Sequence, residues 1–411
     1  MQEQTTRHPA GRRVWLLRLS LLFGALTTAV LLGEIGLRLA GVSRVILRQP
    51  DVLLGWSLRP DSTEWSTHEA PQMVKTNRWG FRDVEREQAK PADTFRIAVI
   101  GDSCTEAVEV GQTETFCQQL EKMLNEKLGS DQRKFEVLSF GVVSYGTAQQ
   151  LLTLRHRVFD FQPDLVLAAV YLGNDLTDNS KELDNPGEKQ LRPFFVLDGD
   201  TLRLDDSFNS SPAFERAIFW NHGPGRWLFF HSRVFQTINS ARKALRNHAD
   251  AGAHADRLKM GLDALAPPRD ARWEESWRVT AALLGEMNVE TKRRGIAFGV
   301  VTLSVPEQVY PDPAVRAKTQ EELGGLSDLF YADRRVAAIG KAAGFPVLNL
   351  AEPMQHYADE KQAFLHGFPT SKMGIGHWNA AGHKLAAEMI FDWLRSVAPQ
   401  LEGGTVRAGR S

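Results

Sequence analysis

Residues 95–106 read Phe95-Arg96-Ile97-Ala98-Val99-Ile100-Gly101-Asp102-Ser103-Cys104-Thr105-Glu106. The run from 96 to 101 is short, apolar and closed by glycine, the pattern of a strand buried on both faces of a parallel sheet. Residues 113–128 follow with Phe116, Leu120, Met123, Leu124 and Leu128 along one side, the spacing of an amphipathic helix. A serine between such a strand and such a helix sits at the C-terminal edge of the sheet. The backbone after it can offer N–H donors to a developing oxyanion.

The same alternation recurs outward from this stretch. FEVLSFG (135–141) reads as a second strand and 147–161 as a helix stopped by Pro163. DLVLAAVYLG (164–173) is a third strand. GIAFGVVTL (295–303) is a fourth, preceded by a helix from Trp273 to Arg293. FPVLNL (345–350) is a fifth, preceded by a helix near 327–342, and a last helix runs from about Ala380 to Val397. Strands alternating with helices predict an α/β fold: three α/β/α layers around a mostly parallel five-stranded sheet, spanning residues 95–397. No internal repeat occurs. Between the third and fourth strands the rhythm breaks. VLDGDTLRLD (196–205) predicts a hairpin around Asp198-Gly199. The aromatic cluster Phe219, Trp220, Trp227, Phe229 and Phe230 reads more readily as core than as a sugar or acyl platform. Residues 240–272 are polar. The whole stretch 181–272 is expected to be an insertion over the C-terminal edge of the sheet, where open α/β sheets bind ligands.

Residues 1–13 are a polar tail with Arg7, Arg12 and Arg13, followed by VWLLRLSLLFGALTTAVLLG from Val14 to Gly33. That length matches a membrane crossing, and Arg18 near its start can snorkel to the interface. A core helix would carry a polar outer face, and this one has almost none. No convincing Ala-x-Ala cleavage site follows, so residues 14–36 are expected to be a retained anchor, with a removed signal peptide as the alternative. Arg38, Arg44 and Arg48 follow the span, so the charge bias that orients it is weak. In a bacterial chain the expectation is a large domain outside, in the periplasm. Residues 37–94 read as a linker that packs on the domain, given its Trp and Phe content, and 398–411 as a flexible tail.

The chain has 411 residues, 43% of them hydrophobic and 24% charged, which is ordinary for a globular protein and excludes a mainly disordered one. With 49 basic against 50 acidic side chains there is no basic excess for nucleic-acid binding. Two cysteines exclude a disulfide scaffold and a four-cysteine zinc site, and allow at most a Cys104–Cys117 bridge. His222, His231, His248 and His254 lack ligand spacing, and no phosphate-binding GxxxxGK[ST] occurs. No metal or cofactor is expected.

The third strand ends Leu172-Gly173-Asn174-Asp175, and the loop before the last helix reads Gly376-His377-Trp378-Asn379-Ala380-Ala381-Gly382-His383. A hydroxyl needs a base before it attacks a carbonyl, and this loop supplies an imidazole. Each residue also has a plain structural reading. Ser103 can cap a helix, and Asn174 and Asp175 can form a turn. Asp102 reads as structural, Cys104 as a small buried apolar group and His383 as packing near the last helix.

Taken together, GDSCTEA, GND and GHWNAAGH, in that order at three element boundaries, resemble the blocks of the SGNH hydrolases, the GDSL esterase/lipase family. NRWGFRD (77–83) resembles segments of its membrane-anchored or exported bacterial members. The resemblance implies a flavodoxin-like sheet and acyl transfer to a serine. Ser103 would be the nucleophile and His377 the general base and acid. Asn174 would donate its amide to the oxyanion, alongside the backbone N–H groups of Ser103 and of Ser144, which stands where the family usually has glycine. The family often has an aspartate three residues before the histidine, and here that position is Gly374. Either a Ser–His dyad works with a backbone carbonyl on the second ring nitrogen, or a carboxylate arrives from elsewhere. The implied substrates are carboxylic esters, with acylated envelope glycans or lipids fitting the expected location. An O-acyltransferase using the same site, and a non-catalytic glycan-binding or assembly protein, are the alternatives.

Overall fold

A computed structural model describes residues 10–41, 47–66, 69–184, 191–223, 225–249, 261–398 and 401. The expected N-terminal tail up to residue 9, the C-terminal tail from 402, Arg44 and His254 lie outside these residues. The chain divides into two units, one made of 1–45 with 219–249, the other of 46–218 with 250–411.

In the larger unit the strands are β1 (Arg48–Asp51), β2 (Gly55–Leu58), β3 (Thr63–Ser66), β4 (Gln72–Lys75), β5 (Thr94–Gly101), β6 (Lys134–Gly141), β7 (Leu165–Tyr171), β8 (Phe194–Asp198), β9 (Thr201–Asp205), β10 (Ala297–Leu303) and β11 (Val347–Asn349). Five of them form one parallel sheet in the order β11-β10-β7-β5-β6. The α/β architecture with a five-stranded parallel sheet is therefore as the alternation predicts. All eight residues of β5 are buried, and their side chains part by the two-residue period of a strand. Ile97 and Val99 join Leu120, Leu124, Ile390 and Leu394, from the helices Phe116–Leu128 and Ala380–Val397, on one face. Ala98 and Ile100 join Leu151, Leu283 and Val336, from the helices Thr147–His156, Ala271–Arg293 and Tyr331–Ala343, on the other. The chain leaves β5 for β6 on one side and reaches β7 on the other. The C-terminal end of β5 is thus the point where strand order reverses, the place such sheets open a binding crevice.

Local details differ from the sequence reading. The helix over 147–161 ends at His156, and Val158–Phe161 continues as a 3₁₀ turn. The fifth strand shrinks to Val347–Asn349. Residues 48–94 form two hairpins, β1–β2 and β3–β4, followed by a clamp. In that clamp Asn77 accepts the N–H groups of Trp79 and Phe81, and the buried Arg82 donates to the carbonyls of Glu106 (2.8 Å), Val110 (2.6 Å) and Ala107. The expected hairpin at 196–205 forms as β8–β9, closing at the pair Asp198↔Thr201. Ala398 and Leu401, read as the start of a loose tail, are buried in the core. Both cysteines are free and buried.

The smaller unit contains the helix Ala10–Leu39, long and apolar enough to cross a membrane, with none of its apolar window buried. Ser20 and Thr28 return their hydroxyls to the carbonyls of Leu16 and Gly24, which satisfies them inside the helix. Residues 219–249, part of the expected insertion 181–272, belong to this unit. Phe219, Trp220 and Trp227 are exposed, so this part of the aromatic cluster is not core, contrary to the sequence reading.

Candidate active site

β5 ends at Gly101, and the chain turns at once into the short helix Ser103–Glu106. Asp102 caps that helix, accepting the Cys104 N–H at 3.0 Å, and is fully buried. Burial lifts its pKa to about 6, against the pull of the Cys104 N–H and the His377 charge. The next position, Ser103, is turned toward His377, with Oγ 2.9 Å from Nε2. The Asp102 carboxylate lies 3.5 Å from the same hydroxyl, a much weaker partner. Burial pushes the neighbouring Cys104 thiol well above its usual range, so it stays protonated.

The loop that carries His377 is pinned on both sides. Gly367 N–H donates to the His377 carbonyl at 2.9 Å. Trp378 Nε1 donates to Ser304 Oγ (2.9 Å), which lies 3.1 Å from His366 Nε2, while His366 Nδ1 lies 2.7 Å from the Gly376 carbonyl. Burial drops the His366 pKa to about 4, so the ring is neutral and donates from Nδ1 to that carbonyl. His383 is buried, stacks on Phe116 and accepts the Phe116 N–H at 3.4 Å, a packing role. Burial likewise lowers its pKa, to about 3.

The second ring nitrogen of His377 faces a carboxylate. Nδ1 lies 2.7 Å from Glu69 Oε1, and the His377 backbone N–H donates to Glu69 Oε2 at 3.0 Å. Glu69 stands in the turn between β3 and β4, where Thr370 Oγ1 donates to its carbonyl at 2.6 Å. A second carboxylate, the buried Glu109, lies 3.4 Å from Nδ1. Burial pulls the His377 pKa down, but the Glu109 charge and the hydrogen bond and charge of Glu69 outweigh it and bring the ring to about 9. The ligand atoms of Glu69, Glu109 and His377 fall within 4.8 Å of one another, near enough to hold a cation, yet the same atoms are engaged in orienting the ring.

Two glycines bear on why the carboxylate facing His377 comes from so far away in the sequence. Gly374 has φ +79, and a Cβ there would lie 2.4 Å from the Tyr310 ring, so the position excludes an aspartate. Gly376 has φ +86, and a Cβ there would lie 2.3 Å from Glu69 Oε2. The absence of a side chain at 376 is what lets Glu69 reach the histidine. Of the two readings left open by Gly374, the structure has the carboxylate. Nothing in the local sequence singled out Glu69. The available signal was Gly374-Ile375-Gly376 itself, two backbone-only positions beside a histidine with no acidic residue in the preceding loop.

The expected oxyanion donors are placed as follows. Ser144 adopts φ 64, the left-handed conformation usually left to glycine. Among the described residues, neither the Ser103 N–H nor the Ser144 N–H has a protein acceptor. Asn174 follows β7, the strand paired with β5, but its amide donates to Asp178 Oδ2 at 3.1 Å. Among the described residues no hydrogen bond joins Asn174 to Ser103 or His377, and its Oδ1 is buried without a partner. The neighbouring Asp175 is pushed well above the carboxylate range by burial and by the charges of Asp102 and Asp178.

No protein-family model matches the chain, and no curated protein does. Solved structures resemble it distantly. An acetyl xylan esterase, AlAXEase, aligns with 10% identity and a TM-score of 0.38, covering 73% of this chain and all of its own. An acetylxylan esterase from Geobacillus stearothermophilus gives 12% and 0.38, covering 78% and all of its own. A putative lipolytic protein of G-D-S-L family from Desulfitobacterium hafniense DCB-2 gives 13% and 0.31, covering 72% and 98%.

Proposed function

We propose that the chain is a serine ester hydrolase of the SGNH type, with Ser103 as nucleophile, His377 as general base and acid, and Glu69 as the carboxylate that orients the ring. The observation that carries this is the unbroken chain Ser103 Oγ–His377–Glu69, with contacts of 2.9 and 2.7 Å. Neutral His377 holds its proton on Nδ1, donating to Glu69, so Nε2 is free to take the Ser103 proton as Oγ attacks the ester carbonyl. The tetrahedral oxyanion is met by the N–H groups of Ser103 and Ser144, and by the Asn174 amide once it turns from Asp178. The imidazolium then gives its proton to the departing alkoxide, leaving an acyl-Ser103. Water, deprotonated by the same nitrogen, releases the carboxylic acid and restores the hydroxyl.

The two carboxylates stabilise imidazolium throughout. They favour the transition state, and they also keep the resting ring protonated at neutral pH. Activity accordingly rises with pH through about 9. A carboxylate on His377 Nδ1 supports the catalytic reading over the non-catalytic alternative. The acyltransferase alternative shares the acyl-enzyme and differs only in the acceptor. We place the enzyme on a single-pass anchor, the helix Ala10–Leu39, with its hydrolase unit outside the cytoplasm and acylated glycans or lipids as substrates. Incubation with p-nitrophenyl acetate tests the chemistry. An acetyl adduct on the Ser103 peptide, released as acetate in water, supports hydrolysis. Release mainly as acetylated oligosaccharide, when one is added, favours transfer. No adduct from a folded protein sinks both.

A further inference from the structure

Residues 219–249 contain Arg226, Arg233, Arg242, Lys243 and Arg246 and no aspartate or glutamate, in a chain whose charges otherwise nearly balance. The same stretch exposes Phe219, Trp220, Trp227, Ile238 and Leu245, with Trp227 at 64% and Leu245 at 70%. Within it lie the end of the helix Pro212–His222 and the helical pair Arg226–His231 and Arg233–Ala249. That combination of cationic and large apolar groups on one helical segment is poorly suited to water alone.

Within its unit the stretch is fastened to one level of the helix Ala10–Leu39. The Glu34 carboxylate accepts the N–H groups of Arg233 (3.0 Å) and Val234 (3.1 Å) and the Ser232 hydroxyl (3.2 Å), capping the helix Arg233–Ala249 from outside. Arg38 donates to the His231 carbonyl. Gly33 leaves room for Val234, whose Cγ2 would lie 3.3 Å from a Cβ at that position. Glu34 is the first charged residue after the apolar run from Val14 to Gly33. Twenty residues of helix span about 30 Å, the thickness of a hydrocarbon core. If that run crosses the bilayer, Glu34 and Arg38 stand at the headgroup level, and His231 to Val234 stand there with them.

We propose that residues 219–249 are a lipid-binding collar, in which the exposed Arg226 and Arg242 contact anionic phospholipid headgroups while Trp227 and Ile238 enter the interfacial layer where the anchor emerges. Trp is favoured at that depth, and each basic group near an anionic surface adds attraction that neutral lipid does not give. The collar rests on the membrane-crossing reading of the helix Ala10–Leu39 and goes beyond the hydrolase chemistry. It would hold the chain at the membrane surface by charge as well as by the span.

The test uses the full chain in vesicles of phosphatidylcholine, with or without about one-third phosphatidylglycerol, carrying doxyl-labelled quencher lipids. Cys104 and Cys117 are buried, so a fluorophore goes to an introduced thiol at Leu26→Cys, Trp227→Cys, Ile238→Cys or, as a control, Lys122→Cys, whose native side chain is 72% exposed. Expected are quenching at 26 by deep quenchers, quenching at 227 and 238 by shallow ones, and none at 122. Phosphatidylglycerol should raise the quenching at 227 at least about twofold, and Arg226→Gln with Arg242→Gln should abolish that increase. Quenching at 26 with labels at 227 and 238 left in water overturns the collar while keeping the anchor. No quenching at 26 overturns the anchor and the collar built on it. Quenching at 227 that ignores phosphatidylglycerol overturns headgroup recognition.

Discussion

The hydroxyl and the imidazole of this site come from the loops at the C-terminal edge of the sheet, while the carboxylate comes from a hairpin that precedes the first sheet strand. Ser103 follows β5 directly, and His377 sits in the loop that leads to the last helix. Their positions follow from the alternation of strands and helices. Glu69 is reached only because the β3–β4 hairpin is held over the site, with Arg82 gripping the carbonyls of Glu106 and Val110 nearby. The difference shows that a sheet edge can specify where a hydroxyl and an imidazole meet without specifying where the carboxylate on the second ring nitrogen comes from. Any segment that packs on the edge, and finds a glycine in its path, can supply it.

Removing the His377 imidazole, the proposed base, should have the largest effect. His377→Ala should lower kcat/KM toward p-nitrophenyl acetate by about 10³-fold or more, with the fold intact by circular dichroism. Next comes the acid. Glu69→Gln should cost about 10²- to 10⁴-fold in kcat. It should also move the rise in rate from about 9 to lower pH, because one of the carboxylates that hold the ring protonated, beside Glu109 and Asp102, is gone. A Gly374→Asp change on that background should give no rescue, since a Cβ at 374 would meet the Tyr310 ring at 2.4 Å. Recovery of activity would show that the edge loop can carry its own acid after all. Gly376→Ala should push the Glu69 carboxylate off the ring and reproduce part of the Glu69→Gln defect, about tenfold or more in kcat. An unaltered rate would mean that the close approach seen at Gly376 is not required.

Two smaller effects test the scaffold on each side. Arg82→Met strands the carbonyls of Glu106, Ala107 and Val110, and should lower stability by about 3 kcal/mol by chemical denaturation. Loss of activity well below the melting temperature would tie the clamp to the placement of Glu69. Ser144→Gly should raise stability by up to about 1 kcal/mol, because a left-handed φ of 64 costs serine and not glycine, with hydrolysis preserved.

Much of the fold was legible because it rests on local signals. Apolar runs such as 96–101 and 164–173 mark strands, and the helices between them carry one apolar face. The edges of those elements then place Ser103, Asn174 and His377 in adjacent loops. Residues 48–94 were harder to read, because their strands are four residues long and their polar groups are satisfied by distant partners, such as Arg82 by Glu106 and Asp83 by Gln118. Glu69 was invisible for the same reason, since its role depends on a contact across 308 positions in sequence. The aromatic cluster misled because aromatic density signals burial on average, and here Trp227 and Phe219 face outward from a small unit shared with the apolar N-terminal helix.

The most direct measurement is the pH dependence of Ser103 labelling by a fluorophosphonate, compared between the native chain and Glu69→Gln. A hydroxyl driven by His377 and Glu69 predicts a rate that climbs through about 9 in the native protein and through a lower pH, with a smaller ceiling, in the variant. Superimposable profiles, or a label that attaches elsewhere than Ser103, would contradict the three-residue chain.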